Sequence, residues 1–360
     1  MKRRNFLTAS ALAATTAAVS TAFPAPALAQ NSKRLRMATS WPKGFPGLGS
    51  SSESLAGKIT EATEGALDIE VYASGELVSA FEVFDAVSSG EADIYHSSDG
   101  YWRDRSQAFA FFNSIPFGMT VSQFNTWVRY GGGQELWNQL SEQYNIKPHL
   151  CANTGTQWGG WFNREVASVE DFNGLNVRLA GLGAAVLEKF GANIVRLPGD
   201  EILDALRDGS IDAAEWVGPW SDLNFGFHSV AKYYYWPGFH SPSAGQCAGF
   251  NLEVWNSLTH SQRSIVEAVC AAENEASRTL FLDNNAVALR ALTKDFGVEL
   301  REFSDSQFAA FQKVTSEVME EIADGDTFFA RVWDSYRKSQ AATSLSLEYG
   351  EFAYLSKIKG

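Results

Sequence analysis

The segment "LDALRDGSID" at residues 203–212 decides the fold, because the same pattern occurs earlier as "FDAVSSGEAD" at residues 84–93. Each copy reads apolar, Asp, Ala, apolar, two residues, Gly, two residues, Asp. Apolar residues recur at helical spacing before Gly90 and Gly209, and a glycine in that position is typical of a helix end. Each copy therefore predicts a helix that stops at the glycine and leads into a short strand.

The elements around each copy repeat in the same order. In the first copy, "RLRMATSW" at 34–41 and "ALDIEVYA" at 66–73 are strand-like and enclose an amphipathic helix. In the second copy, "LNVRLAG" at 175–181 and "ANIVRLP" at 192–198 enclose another helix. Strands that alternate with helices form mostly parallel sheets with helices on their faces. The sequence thus predicts an α/β protein with two similar lobes, about 119 residues apart in the chain.

Ligands of open parallel sheets bind beyond the carboxyl ends of the strands, so the two lobes are expected to face one hinged central cleft. We assign residues 30–152 and about 218–260 to lobe 1, and residues 153–217 and about 261–340 to lobe 2. Residues 341–360 form a weakly patterned C-terminal tail, for which a dimer contact is one interpretation.

The first 29 residues read as an export signal. A charged start with Arg3 and Arg4 precedes a mild apolar stretch, and Ala27-Leu28-Ala29 offers a small-residue cleavage site. Arg-Arg followed by Asn-Phe-Leu resembles a twin-arginine signal, and an ordinary secretory signal is the alternative. Either interpretation places the mature chain outside the cytoplasm.

Composition limits the class of protein. A chain of 360 residues with 45% hydrophobic and 20% charged residues is long enough for two domains and is typical of a soluble globular protein. Its formal net charge of -13 falls to about -16 when the three basic residues of the leader are removed. Such an acidic chain is a poor partner for nucleic acid. After the leader, no run reaches the ~18 apolar residues of a membrane span.

The three cysteines, Cys151, Cys247 and Cys270, form no CxxC motif and no Cys/His metal-ligand spacing. They are expected to be small buried hydrophobes, and the sequence leaves open a disulfide between the first two. The five histidines are scattered along the chain and are interpreted as structural.

Arg178 is the candidate for binding an anionic ligand, because its strand is expected to end at the cleft and a guanidinium pairs bidentately with a carboxylate. An arginine that reaches solvent at a strand end is the alternative.

Asn153 and Gln157 lie in the polar, glycine-rich segment "ANTGTQWGGWFNRE", where a ligand can approach the backbone closely. A surface turn is the alternative for that segment. Trp41 and Tyr101 are candidate walls of the cleft.

Glu215 lies within the apolar run of "SIDAAEWVGPW" at 210–220, where an unpaired buried carboxylate would be costly. One interpretation is a structural ion pair with Arg178. The other is a bound cation, since carboxylate, amide and backbone carbonyl oxygens suit Na⁺, Ca²⁺ or Mg²⁺. One arginine, one glutamate, one monovalent cation and one monocarboxylate would sum to zero charge.

Taken together, these segments resemble the solute-binding proteins of tripartite ATP-independent periplasmic (TRAP) transporters, over about residues 35–340. The resemblance rests on the twin-arginine leader, the two βαβαβ units and the segments "NTGTQWGGWFNRE", "GLNVRLAG", "DGSIDAAEWVGP" and "YYYWPGF". It implies a periplasmic-binding-protein-like fold, a location in the periplasm and no enzymatic activity. The segments are most similar to the subgroup that binds 2-oxo acids or lactate with a metal ion. The expected function is capture of a small, pyruvate-like 2-oxo monocarboxylate for a TRAP membrane permease.

The resemblance also implies roles for individual residues. Arg178 would grip the substrate carboxylate, and the Tyr101 hydroxyl would reach the same substrate. Gln157 and Glu215 would bind the cation, Na⁺ or Ca²⁺, together with the backbone carbonyl of Trp216.

The chain departs from similar proteins after the turn in "YYYWPGF". Those proteins often carry an acidic group there, whereas this chain has "FHSPSAGQ". Ser241, Gln246 or water would therefore complete the cation site. A homodimer through the C-terminal helices, as in some similar proteins, is left open by the sequence.

Two other functions stay open at this point. A binding protein for another organic acid, an amino acid or a sugar would need no metal, because Glu215 could then meet an ammonium group. An exported nicotinamide-dependent oxidoreductase is suggested by "GLGAAV" at 181–186. That segment imitates a dinucleotide-binding motif but has Val186 in place of the third glycine.

Overall fold

The computed structural model describes residues 32–358, so the export signal predicted at 1–29 lies outside the described residues. The strands are β1 Lys33–Thr39, β2 Leu67–Tyr72, β3 Ile94–Ser97, β4 Ile146–Asn153, β5 Gly160–Phe162, β6 Asn176–Arg178, β7 Asn193–Val195, β8 Ala213–Ala214, β9 Tyr233–Trp236, β10 Gly245–Asn251 and β11 Glu299–Glu302. The helices are α1 Leu48–Ala62, α2 Val83–Ser89, α3 Val121–Tyr130, α4 Gly133–Glu142, α5 Leu182–Lys189, α6 Gly199–Asp208, α7 Pro219–Phe225, α8 Leu252–Asn256, α9 His260–Lys294, α10 Asp305–Gly325, α11 Thr327–Leu347 and α12 Ala353–Ile358. Within the described residues, none of these helices combines the length and the apolar character needed to cross a membrane.

Both repeats form the predicted β-α-β-α-β unit. Helix α2 ends at Gly90 with φ 84°, and α6 ends at Gly209 with φ 78°, so each glycine takes the left-handed conformation that closes its helix. In the first unit β1 pairs in parallel with β2 and β3, and in the second unit β6 pairs in parallel with β7 and β8. The first strand of each unit therefore lies between the other two, and the sequence repeat is a structural repeat.

Each unit belongs to a different sheet. The first sheet has the order β2-β1-β3-β10-β4, and the second has the order β11-β9-β5-β8-β6-β7. The chain passes from the first sheet to the second after β4, returns before β10 and crosses again between β10 and β11. The first two crossing segments lie side by side, because Gln157 N–H donates to the Ser241 carbonyl at 2.9 Å and Thr154 N–H donates to the Ala244 carbonyl at 3.1 Å.

Several segments within 218–340 pack on a different lobe from the one that the sequence predicts, among them β9 and α11. Strand β9, within 218–260, belongs to the second sheet because it pairs with β5 and β11. Helix α11, most of which lies within 261–340, packs on the first lobe, where the Tyr336 hydroxyl accepts a 2.6 Å hydrogen bond from the Met119 N–H. Local patterns indicate that an element forms, but its sheet or helix partner depends on contacts between residues far apart in the chain.

Buried aromatic residues fill the core of each lobe. In the first lobe, the Phe112 ring stacks on Trp137 and Trp127, with ring centroids 5.0 and 5.5 Å apart. In the second lobe, the Tyr234 ring stacks on Trp161 at 4.1 Å. Each such ring removes roughly 150–250 Å² from water, so the stacks hold the elements of each lobe together as a rigid support for the cleft.

All three cysteines are buried and free, so the disulfide left open by the sequence does not form. Cys151 packs with residues of α1 and α9, whereas Cys247 packs in a different cluster with residues of α2. Burial raises the pKa of all three thiols, which makes them unreactive at neutral pH.

The C-terminal tail predicted at 341–360 is helical as far as the structure describes it. Helix α11 continues to Leu347, and one wider helical turn leads into α12. Large apolar side chains of the tail are exposed, among them Tyr349 at 75% and Phe352 at 67%. The dimer contact suggested for this tail stays a prediction.

The substitution Gly209→Ala tests the left-handed glycine of the second repeat. Alanine at φ 78° should cost roughly 1–2 kcal/mol of unfolding free energy, although the new Cβ meets no atom within 4 Å. The control is Gly57→Ala within α1, where the new Cβ also has open space and alanine should add roughly 0.5–1 kcal/mol. Urea unfolding measures both changes, and a Gly209→Ala variant as stable as the wild type would contradict the prediction.

Candidate functional site

A cavity of about 40 Å³ lies between the lobes, at the carboxyl ends of strands from both repeats. Trp41 follows β1, Tyr101 follows β3, Arg178 ends β6 and Glu215 follows β8. The other lining residues are Leu48, Ser98, Asn113, Ser114, Gln157, Ala180, Gly181, Leu182, Trp216, Val217, His240, Ser241 and Gln246. A site for one water molecule needs roughly 10–15 Å³, so the cavity suits a solute of few heavy atoms.

Arg178 is held rigidly in the cavity wall. Its Nε donates to the Leu197 carbonyl at 3.1 Å, and its Nη1 donates to the Glu215 carbonyl at 2.5 Å. The guanidinium lies 5.1 Å from the centre of the Trp216 ring. A buried guanidinium whose plane is fixed in this way is well suited to bind a carboxylate.

The two oxygens of the Glu215 carboxylate have different surroundings. Oε2 lies 3.6 Å from Arg178 Nη1, so the ion pair that the sequence offered as one interpretation is present as a loose contact. Oε1 lies 3.2 Å from His240 Nε2, but in a direction that makes no hydrogen bond, and both atoms are buried without a hydrogen-bond partner. A buried polar atom without a partner costs roughly 1–3 kcal/mol, more when it is charged. This position therefore favours a positively charged ligand.

The predicted cation ligands with amide or hydroxyl side chains line the same cavity. Gln246 donates from Nε2 to the Ala244 carbonyl at 3.1 Å, while its Oε1 is buried without a hydrogen-bond partner. Gln157 donates from Nε2 to the Thr154 hydroxyl at 3.4 Å. Ser241 also lies in the cavity wall. The structure thus brings the predicted cation ligands together with Glu215.

Tyr101 lies beside Arg178 in the cavity. Burial raises the pKa of the Tyr101 hydroxyl, and the Arg178 guanidinium opposes that shift only in part. The phenol therefore stays protonated at neutral pH and can donate a hydrogen bond to a carboxylate.

Trp41 is held in the wall by a buried histidine. Its Nε1 donates to His96 Nδ1 at 2.8 Å, and burial lowers the pKa of His96 to about 4. The imidazole is therefore neutral at pH 7, which is the form that can accept this hydrogen bond.

Asn153 was a predicted substrate ligand, but it does not line the cavity. Its Nδ2 donates to Ser243 Oγ at 3.0 Å, and its Oδ1 accepts from the Gly155 N–H at 2.9 Å. Both ends of the amide bind the crossing segments of the chain, so Asn153 holds these segments together, and its contact with the substrate stays a prediction.

Three polar lining residues were not anticipated from the sequence, namely Asn113, Ser114 and His240. The only signal for His240 is its position next to Ser241 in "FHSPSAGQ". Asn113 and Ser114 lie outside both repeats, in "FFNSIPFG", where no pattern marks a site. His240 thus lies in the cavity wall, and the interpretation of the histidines as structural stays a prediction.

Reciprocal arginine contacts join the lobes beside the cavity. Arg103 of the first lobe donates to the Gly181 carbonyl of the second at 2.6 Å. Arg196 of the second lobe donates to the Tyr101 carbonyl of the first at 2.9 Å and lies 3.4 Å from Asp104. These bonds form only when the lobes are together, so the structure is a closed form.

The formal charges that line the cavity cancel. Arg178 and Glu215 carry opposite charges, and no other lining residue is charged when histidine is neutral. Within residues 32–358, no group of three or more His, Cys, Asp or Glu side chains is arranged to hold a metal ion. A cation in this cavity would therefore depend on amide and carbonyl oxygens beside one carboxylate, a set that suits Na⁺ or Ca²⁺ better than a transition metal.

The family of the protein follows from the match over most of the chain. The DctP family model, bacterial extracellular solute-binding protein family 7, matches residues 37–326. The chain belongs to this family. Membership of a family of extracellular solute-binding proteins confirms the predicted binding function and the predicted place outside the cytoplasm.

This solute-binding protein has similar relatives of nearly the same length. The monocarboxylate 2-oxoacid-binding periplasmic protein of Nostoc sp. is 37% identical over 368 residues, which cover 99% of this chain and 100% of the relative. A TRAP transporter solute-binding protein of Bordetella bronchiseptica, a mixed-occupancy dimer with copurified calcium and picolinate, has a TM-score of 0.88 at 33% identity and covers 90% of this chain and 96% of its own. One from Pseudoalteromonas atlantica, with bound sodium and pyruvate, has a TM-score of 0.87 at 33% identity and covers 90% and 98%.

These relatives confirm the predicted resemblance to TRAP solute-binding proteins and the predicted α/β fold of two lobes. They also argue against the exported oxidoreductase, since the family consists of solute-binding proteins for transport.

The double variant Arg103→Gln and Arg196→Gln should weaken the closed form by roughly 2–3 kcal/mol, because it removes charged hydrogen bonds that cross between the lobes. Small-angle X-ray scattering should then give a larger radius of gyration than for the wild type. The control is Arg34→Gln on the exposed surface of β1. A double variant as compact as the wild type would show that these bonds do not hold the lobes together.

Acidification should destabilise the fold through His96. The pKa of this group falls from 6.5 to about 4 on folding, so between these values the unfolded chain binds a proton that the folded chain excludes. The unfolding free energy should therefore fall as pH drops through this range, by roughly 3 kcal/mol in total. His96→Gln, which keeps an acceptor for Trp41, should lose this part of the dependence. Urea unfolding from pH 4 to pH 7 tests the prediction. Equal slopes of unfolding free energy against pH for the wild type and His96→Gln would contradict it.

Proposed function

We propose that the protein captures a small 2-oxo monocarboxylate, such as pyruvate, together with Na⁺ or Ca²⁺, and delivers it to a TRAP membrane permease. In this role Arg178 binds the carboxylate and Tyr101 donates a hydrogen bond to it. Glu215, Gln157 and the Trp216 backbone carbonyl bind the cation. The role is binding and release, with no covalent bond made or broken.

The proposal is carried by two buried oxygens without hydrogen-bond partners, Glu215 Oε1 and Gln246 Oε1, in a cavity that also contains the guanidinium of Arg178. Carboxylate and amide oxygens are hard ligands of the kind that Na⁺ and Ca²⁺ prefer. The residues present therefore fit such a cation, and Gln246 is favoured over Ser241 as the substitute for the acidic group of similar proteins. When bound, the cation would supply positive charge to the carboxylate and keto oxygens of the solute.

The ligands of related proteins support the same class of solute. The Nostoc relative is a monocarboxylate 2-oxoacid-binding protein. The Pseudoalteromonas structure contains sodium with pyruvate, and the Bordetella structure contains calcium with picolinate. Pyruvate has a keto oxygen and picolinate a ring nitrogen next to a single carboxylate, so each can chelate a cation through two neighbouring atoms.

The size of the cavity bears on the alternative solutes. A sugar ring has about twice the heavy atoms of pyruvate, and a cavity of about 40 Å³ does not suit it in this closed form. An amino acid would place its ammonium group near Glu215 and need no metal, and calorimetry with alanine tests this alternative.

The Bordetella relative is a dimer, and a homodimer of this chain stays a prediction.

The experiment is calorimetry with a panel of pyruvate, 2-oxobutyrate, lactate, alanine and glucose. We expect pyruvate to bind with a Kd of ~1 μM or tighter, and to lose affinity at least tenfold after EDTA treatment in sodium-free buffer. Added Na⁺ or Ca²⁺ should restore it. Arg178→Ala should cost ~3 kcal/mol or more of binding free energy, since it leaves a buried anion unpaired.

The matched control for that variant is Arg164→Ala on the exposed surface, which should bind as the wild type does. Full pyruvate affinity without Na⁺ and Ca²⁺ would show that no cation takes part in pyruvate binding. Heat release with alanine or glucose, but not with pyruvate, would show that the protein binds one of those solutes instead.

A further inference from the structure

A second buried carboxylate lies behind the site. Asp222, on α7, is 1% exposed and accepts from Trp161 Nε1 at 2.9 Å and from the Tyr234 hydroxyl at 2.8 Å. Its other oxygen accepts from two backbone groups, the Val217 N–H at 3.3 Å and the Gly218 N–H at 3.1 Å. Among the described residues, no Lys, Arg or His nitrogen comes within ion-pair distance of this carboxylate, so neutral N–H and O–H donors alone hold it.

The Val217 N–H belongs to the same peptide group as the Trp216 carbonyl. The carbonyls on either side are already engaged, since the Glu215 carbonyl accepts from Arg178 Nη1 and the Val217 carbonyl accepts from the Trp158 N–H at 3.1 Å. No donor from residues 32–358 reaches the Trp216 carbonyl between them. Of three successive carbonyls, the one proposed to bind the cation is the one that the protein leaves available.

Hydrogen bonds along one peptide group strengthen one another. A carboxylate that accepts from the N–H draws electron density toward the carbonyl oxygen, which becomes a better ligand for a cation. Groups that hold a metal ligand from behind also fix its orientation. Both effects require the acceptor to be buried and rigidly held, and the indole and phenol donors of Trp161 and Tyr234 meet that requirement.

We propose that Asp222 is a positioning residue for the cation site, which fixes the Trp216–Val217 peptide and makes the Trp216 carbonyl a stronger ligand. This inference rests on the proposed function, because it assigns a role toward the cation proposed there. It predicts that Asp222 affects cation affinity beyond its effect on stability.

The first lobe contains a natural control. Asp99, in the turn after β3, is fully buried and accepts from the Tyr95 hydroxyl at 2.9 Å and from Trp137 Nε1 at 2.7 Å. Among the described residues, no backbone N–H donates to the carboxylate of Asp99. The two aspartates thus share a tyrosine and a tryptophan donor, and they differ in the bonds to the ligand-bearing backbone.

The experiment compares Asp222→Asn with Asp99→Asn. Ca²⁺ is titrated calorimetrically into chelator-stripped protein at saturating pyruvate, and the thermal midpoint of each variant is measured without cation. Both variants should melt at lower temperature. Asp222→Asn should bind Ca²⁺ about tenfold more weakly, while Asp99→Asn should stay within about twofold of the wild type. Equal Ca²⁺ affinities for the two variants would overturn the inference.

A second variant keeps the test decisive if Asp222→Asn does not fold. Tyr234→Phe removes one donor to Asp222 and keeps both backbone N–H bonds. Burial raises the pKa of Asp222 to about 7, and the Tyr234 hydroxyl opposes that shift, so this variant and the wild type are compared at pH 9, where the carboxylate is ionised. Ca²⁺ affinity should then stay within about twofold of the wild type while stability falls. A loss of Ca²⁺ affinity in Tyr234→Phe would overturn the inference. A wild-type protein that binds pyruvate independently of Na⁺ and Ca²⁺ would instead refute the proposed function, which separates the two failures.

Discussion

A buried carboxylate that its surroundings satisfy only in part organises the centre of this protein. Glu215 follows a strand of the second sheet and is 5% exposed, yet its Oε1 has no hydrogen-bond partner. The loose contact with Arg178, at 3.6 Å, offsets only part of the cost of burying the charge. A cation lowers that cost, and an accompanying anion can then bind the same guanidinium. The proposed selectivity for a carboxylate with a cation would thus follow from one buried charge that is incompletely paired.

Closure of the lobes gives these charges their strength. The arginine bonds between the lobes, from Arg103 to the Gly181 carbonyl and from Arg196 to the Tyr101 carbonyl, lie beside the cavity and join the two lobes there. Electrostatic contacts between buried charges are stronger than those in water, because the effective dielectric constant is lower. The cavity has a volume of about 40 Å³ in this closed form, so size would act together with charge in the proposed selection of the solute.

Two equivalent units with the same topology support different chemistry. After the third strand of each unit, a buried aspartate accepts from one tyrosine and one tryptophan, Asp99 in the first lobe and Asp222 in the second. Only the second also binds backbone N–H groups next to the proposed cation ligands. Asp99 instead begins the turn that carries Tyr101. The repeated scaffold therefore supplies rigid walls on both sides, and the loops that follow it differ in function.

The sequence by itself determined the repeated β-α-β-α-β unit and, through it, the placement of Arg178 and Glu215 at the ends of neighbouring strands. Helix ends, strand lengths and apolar spacing are local properties, so they can be read along the chain. A cation at Glu215 was one of two interpretations of its apolar surroundings, the role of Gln157 came from family resemblance, and both remain proposals. Only the tertiary structure decided that β9 joins the second sheet, that His240 lies 3.2 Å from Glu215 Oε1, and that Asn153 donates to Ser243 Oγ. These features depend on contacts between residues far apart in the chain, which no local pattern records.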